Sequence, residues 1–263
     1  MSVLQLSLNT INQHELQNVI TPTSHRNLLP LAFTYSANEL NLQATTTNST
    51  IELIVLGHIP MACLLNVFNQ CQLNTPVLTT INFRNNLYSY RFAVDCNDME
   101  TARHTLANLA LDNKFEAVLI KEAPQLSQPG LLVMDMDSTT IKIECIDEIA
   151  ALAGVGEQVA KVTELAMQGK LDFSKSLYQR VATLANAPES ILLNVAKEIP
   201  LMDGLETLIT TLKEHKWRIA VASGGFTYFA EHLQKMLTLD DVRANVLEIH
   251  NGVLTGNVLG AVI

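Results

Sequence analysis

Two aspartates two residues apart, Asp135 and Asp137, close the apolar run Leu131-Leu132-Val133-Met134 and precede Ser138-Thr139. If that run is a strand, its pleat sends both carboxylates to the same side. The carboxyl ends of strands are also where open α/β sheets place their sites. Like charges this close repel, which favours a bound hard cation such as Mg²⁺ or a shared proton. Taken alone, the pair equally suits a strand that ends and a helix that is capped. A second group, Ser223-Gly224-Gly225, follows the apolar run Val221-Ala222. Glycines let the backbone approach a ligand, and a hydroxyl beside N–H groups at a helix start suits a phosphate. By itself such a turn is ordinary loop chemistry; its weight comes from sharing a sheet edge with the aspartates.

The elements that position these groups follow α/β grammar. A short strand at 131–134 precedes a long helical region, 146–197, interrupted at Gly154, Gly169 and Pro188. A strand at 217–222 follows, then a helix at 226–237. A hairpin joins 244–250 to 253–258 through Asn251-Gly252, a pair suited to positive φ. Upstream, residues 1–45 are polar and weakly patterned. From residue 51 the order reads strand, helix from Pro60 to about Asn74, two strands turning at Asn85-Asn86, a helix capped by Asp98, and a strand at 115–120. This is the split βαβ, ferredoxin-like order, with four strands. The segment 121–130 holds Pro124, Pro129 and Gly130 without apolar period, so the domain boundary is expected there, giving 1–124 and 125–263.

Composition narrows the function classes. With 48% hydrophobic and 16% charged residues, the chain reads as well buried rather than disordered. A net charge of −9, with 17 scattered basic residues, leaves no footprint for nucleic acid or an anionic membrane. No long uncharged apolar run predicts a membrane span, and the N-terminus lacks a signal-peptide pattern, so a cytoplasmic protein is expected. Cys63, Cys71, Cys96 and Cys145 have no metal or disulfide spacing and are expected as reduced thiols.

Three stretches carry a closer likeness: DMDSTTIKIECIDEIA (135–150), VAKVTELAMQGKLDFSKSLYQRVATL (159–184) and WRIAVASGGF (217–226). Together, over 129–262, they resemble the phosphoserine phosphatases of the haloacid-dehalogenase superfamily. The resemblance implies an α/β Rossmann-like core with a helical cap at about 144–200, behind an ACT-like, ferredoxin-like α+β regulatory domain. It implies Mg²⁺-dependent hydrolysis of O-phospho-L-serine, the last step of serine biosynthesis. Asp135 would be the nucleophile and, through its carboxylate, a metal ligand. Asp137 would be the general acid and later base, its backbone carbonyl also on the metal. Ser223 and the Gly224 N–H would hold the phosphate. Glu144 would meet the substrate ammonium, Arg180 its carboxylate, and Met167 and Phe173 would form an apolar lid.

The family pattern also includes a phosphate-neutralising Lys and a GDGxND segment beyond the hairpin, whereas the sequence ends at Ile263. A C-terminally truncated phosphatase is therefore expected, with weak Mg²⁺ binding and little turnover. The 131–134 edge would be open and prone to pairing between copies, so a homo-oligomer is expected. A rival reading keeps only an amino-acid-binding, regulatory role for the N-terminal part. Within the superfamily, a pump conflicts with the lack of spanning helices and a mutase with the pair Glu144 and Arg180. An aspartic protease conflicts with Thr139 where Gly would stand.

Overall fold

In the computed structural model, which describes residues 3–20, 29–84 and 86–262, the chain divides into two units, Met1–Ala123 and Pro124–Ile263. Alternating burial builds the first. Leu31 and Phe33 point inward from β2 (Leu31–Tyr35), Leu40 and Leu42 from β3 (Glu39–Ala44), and Leu53 and Val55 from β4 (Ile51–Leu56). With β1 (Val3–Ser7), β5 (Asn74–Arg84), β6 (Leu87–Asp95) and β7 (Glu116–Lys121) they make a seven-stranded sheet, ordered β1-β3-β2-β5-β6-β4-β7. Every pairing in it is antiparallel.

The expected four strands are thus corrected to seven. Strands β1 to β3 arise from the stretch whose pattern looked weak, because each is only five or six residues long and its apolar positions alternate with polar ones. Two short helices, α1 (Leu8–Ile11) and α2 (Leu16–Ile20), follow β1. Helix α3 (Met61–Gln70) starts after Pro60, and α4 (Met99–Asn113) is capped by Asp98, which accepts the Thr101 N–H at 3.1 Å. Of the expected Asn85-Asn86 turn, Asn86 has φ 61°, while Asn85 lies outside the described residues. Phe33, Phe68 and Phe92 meet edge to face, with centroids 5.2 to 6.3 Å apart, at the centre of this core. Each such pair adds about 0.5–1.5 kcal/mol beyond the burial of its rings.

The second unit has a four-stranded sheet ordered β11-β10-β9-β8. Parallel pairs join β8 (Leu131–Met134) to β9 (Arg218–Phe226) and β9 to β10 (Asp241–His250). Strand β11 (Val253–Leu259) closes antiparallel on β10 through the Asn251-Gly252 turn, both residues at positive φ. Between β8 and β9 run α5 (Cys145–Leu152), α6 (Gly156–Met167), α7 (Phe173–Ala182), α8 (Ser190–Lys197) and α9 (Leu205–Glu214). Helix α10 (Thr227–Leu237) follows β9 and buries Phe229, Ala230 and Leu233. Gly130 leads into β8 where a side chain would not fit: a Cβ there would lie 2.8 Å from the Trp217 ring. Among the described residues β8 pairs only with β9, and Leu131 and Val133 are exposed. No helix among the described residues is long and apolar enough to cross a membrane.

Candidate active site

The parallel register of β8 and β9 brings two chemically distinct strand ends side by side. Beyond Met134 the chain turns sharply. The N–H groups of Thr139, Thr140 and Ile141 all donate to the Met136 carbonyl at 2.8 to 3.3 Å, and Ser138 sits in the left-handed region at φ 54°. The Thr140 hydroxyl, fully buried, donates to the Asp135 carbonyl, and Thr139 Oγ1 reaches Asp135 Oδ2 at 3.3 Å. This loop fixes the backbone under both aspartates.

On the neighbouring strand the turn expected at Ser223 is instead part of β9. The pairing with β10 steps from Ala222↔Arg243 to Phe226↔Asn245, so β9 carries extra residues and bulges there. The buried Asn245 side chain donates to the Gly224 carbonyl at 2.8 Å and holds the bulge, while the Gly225 N–H donates to Ser223 Oγ at 2.9 Å. Glycine is required on geometric grounds. A Cβ at Gly225 would come within 2.5 Å of Asp137 Oδ2 and 3.2 Å of Ser223 Oγ, so the two strand ends are in near contact across this residue. A Cβ at Gly224 would lie 2.5 Å from the Phe173 ring.

The resulting cleft has a volume of about 170 Å³. Asp135, Asp137 and Ser223 to Phe226 form its floor, and Glu144, Phe173 and Arg180 line it from the helical segment. Seven of the eight residues expected at a site therefore share one cavity. Met167 does not: it is 85% exposed at the end of α6 and lines a separate groove with Thr163 and Glu164. Its position in the last turn of α6, on the face shared with Thr163 and Glu164, sets where that side chain lies.

Burial pushes the Asp137 carboxyl above the usual carboxylate range, and the charges of Glu144 and Asp135 add to the rise. The Cys145 N–H, donating to Asp137 Oδ1 at 2.9 Å, offsets part of it. Glu144 precedes α5 and accepts the Ser138 hydroxyl at 2.7 Å. The site thus holds one carboxyl biased toward its protonated form beside a second one, an arrangement suited to separate acid and nucleophile roles. Three supporting residues escaped the sequence reading. Thr140 stood in the motif without a role, Cys145 was taken only as a thiol, and Asn245 carried no signal within an apolar strand.

The described residues contain no group of three or more His, Cys, Asp or Glu side chains placed for a metal ion. The hard oxygen donors at Asp135 and Asp137 nevertheless fit Mg²⁺, which is held by one or two carboxylates and keeps several waters. The mutual repulsion felt at Asp137 is the observation a nearby cation would relieve.

Comparison with known proteins agrees with this geometry. The sequence profile of haloacid dehalogenase-like hydrolases matches residues 130–256. The phosphoserine phosphatase of Vibrio cholerae is 52% identical over 174 residues, covering 66% of this chain and 52% of that protein. That of Haemophilus influenzae is 59% identical over 152 residues, covering 58% and 48%. The chain thus spans about half the length of these curated relatives. Among solved structures, an unliganded probable phosphoserine phosphatase from Vibrio cholerae superposes with TM-score 0.58 at 40% identity, covering 83% of this chain and 67% of that one. A HAD-family hydrolase from Salmonella enterica gives TM-score 0.65 at 26% identity, over 81% and 73%. With the paired aspartates, the bulged Ser-Gly-Gly strand and the intervening helices in place, the chain belongs to the haloacid dehalogenase-like hydrolases.

Proposed function

We propose that the chain is a phosphoserine phosphatase, hydrolysing O-phospho-L-serine to L-serine and phosphate in the cytoplasm. The observation that carries this is the single cleft joining Asp135 and Asp137 to Ser223-Gly224 below and to Glu144, Phe173 and Arg180 above. An anionic phosphoryl group, an ammonium and a carboxylate each find a partner of matching chemistry there. The names of relatives 52% and 59% identical support the same substrate.

In this reading an Asp135 carboxylate oxygen attacks phosphorus, and the bond from phosphorus to the seryl oxygen breaks. Asp137, biased toward its protonated form, gives its proton to that leaving oxygen. A water then attacks the aspartyl phosphate, passes its proton to the now ionised Asp137, and releases phosphate and free Asp135. Ser223 and the Gly224 N–H hold the phosphoryl oxygens through both displacements, so catalysis is mostly positioning and charge stabilisation. Asp135 and the Asp137 carbonyl would hold Mg²⁺, which neutralises charge on the phosphoryl oxygens when bound. Arg180 grips the carboxylate through parallel hydrogen bonds, and Glu144 meets the ammonium. Phe173, half exposed against Gly224, covers the floor and limits water.

For the N-terminal unit we propose a ferredoxin-like regulatory module. The order strand, α3, strand, strand, α4, strand from β4 to β7, with β5-β6-β4-β7 side by side, supports it, and β1 to β3 widen that sheet.

The test is phosphate release from L-phosphoserine with and without Mg²⁺, by this chain and by Asp135→Asn. Metal-dependent release, however slow, that disappears in Asp135→Asn is expected. Release that survives the substitution, or none from either protein, overturns the proposal.

A further inference from the structure

Two polar groups on α7 are buried without a hydrogen-bond partner among the described residues: the Ser176 hydroxyl and the Arg180 Nε–H. Ser176 is 1% exposed. A spacing of four puts the two side chains on one helical face, a turn apart. Phe173 and Leu177 share that face and, with Arg180, line the cleft. A serine inside a helix commonly returns its hydroxyl to the carbonyl four residues back. Here that carbonyl, of Asp172, takes the Ser176 N–H at 2.9 Å, and the hydroxyl stays unbonded. Buried donors are nearly always satisfied in native proteins, so each exception calls for a cause.

Both groups are donors, and one ligand with two adjacent acceptor oxygens, met by both side chains, would satisfy them together. A phosphate already has its place at Ser223 and Gly224, which leaves the substrate's other anion. A planar carboxylate also matches the fixed fork of a guanidinium. We infer that Ser176 is a further substrate-binding residue, whose hydroxyl joins the Arg180 Nε–H in receiving the carboxylate of the amino-acid substrate. Arg180 then engages side-on, through Nε and one Nη, rather than end-on through its two Nη groups. This deepens the phosphoserine phosphatase reading and rests on it.

The test uses the full chain in an Asp135→Asn background, which stops turnover, and calorimetric Kd values for L-phosphoserine and O-phosphoethanolamine. The second compound lacks only the carboxylate. In Ser176→Ala the preference for phosphoserine is expected to fall about tenfold, the scale of a hydrogen bond to a charged group. Arg180→Lys keeps the charge but loses Nε–H, and shifts the preference the same way. Without ligand, Ser176→Ala should melt no lower than its parent, because an unsatisfied buried hydroxyl has been removed. A serine with a structural role only predicts the opposite pattern, a lower melting temperature and an unchanged preference. Phosphoserine binding with that preference unchanged overturns this inference alone. Failure of the parent to bind either compound overturns the phosphatase reading and this inference with it.

Discussion

The two units treat buried polarity in opposite ways. In the N-terminal unit the fully buried Tyr90 donates its hydroxyl to Gln17 Oε1 at 2.8 Å. Gln17 in turn meets Glu15 and His58 Nδ1, so a polar chain leads from the buried Tyr90 to partners that reach solvent. In the C-terminal unit the buried groups that lack partners among the described residues gather: Ser176, Arg180 and Trp217 all belong to it. Asp137 is held there in surroundings that disfavour its charge. The difference separates a region organised for stability from one organised for chemistry. A ligand or a moving proton can complete the second, whereas the described residues of the first leave no buried side-chain group without a partner.

The largest effect that would sharpen this contrast lies in the satisfied unit. Phe92 is fully buried and meets Phe33 at 5.5 Å and Phe68 at 5.2 Å. Phe92→Ala should cost about 3–5 kcal/mol, the usual loss for a large aromatic removed from a core. Chemical denaturation of that unit's signal measures it, and phosphate release well below the transition should keep its wild-type rate. A loss under 1 kcal/mol would mean that the aromatic cluster does not organise the unit.

In the cleft, the next effect falls on activity rather than stability. Gly225→Ala would put a methyl 2.5 Å from Asp137 Oδ2 and 2.8 Å from Met136 Cε, so the Asp137 carboxyl must move. A displacement near 1 Å costs on the order of 10²-fold in turnover. Gly224→Ala should be milder, because the three atoms nearest its methyl all belong to the half-exposed Phe173 ring, which can swing aside. Steady-state kinetics of the two variants gives the ranking, and the reverse order would show that the lid, not the acid, is the tightly held part.

How much of this was legible in the sequence depends on whether a residue's neighbours are local. Asp135, Asp137 and Ser223 stood out as candidates because each follows an apolar run, and parallel pairing brings such runs side by side. Glu144, Phe173 and Arg180 became candidates only by resemblance, since a charged or aromatic helix residue looks the same on a solvated face. Met167 lies outside the cleft because its helical face, shared with Thr163 and Glu164, is not the one that meets the strand ends. Asn245 was missed because its importance comes from a bulge in another strand. Strands β1 to β3 were missed because short alternating runs gain their meaning from distant partners. The unbonded state of Ser176 and Arg180 belongs to packing, and no local pattern announces it.

The smallest effect tests the contrast most directly, through pH. A carboxyl whose pKa is raised on folding destabilises the folded state wherever it is ionised, so stability is regained as pH falls toward the ordinary carboxylate range. Asp137 is such a group, chiefly because it is buried. Asp137→Asn removes the charge while its side-chain oxygen can still accept the Cys145 N–H. With metal chelated, the variant should therefore melt higher than wild type at pH 7–8. The gap should close as pH falls below about 4, where the wild-type carboxyl is neutral in both folded and unfolded chains. Turnover should be lost in the same variant, since an amide has no proton to give the leaving oxygen. Thermal melts across that pH range decide it. A variant that melts lower than wild type at neutral pH would mean that the fold draws stability from the ionised Asp137, and the opposition between the two units would fail at its central residue.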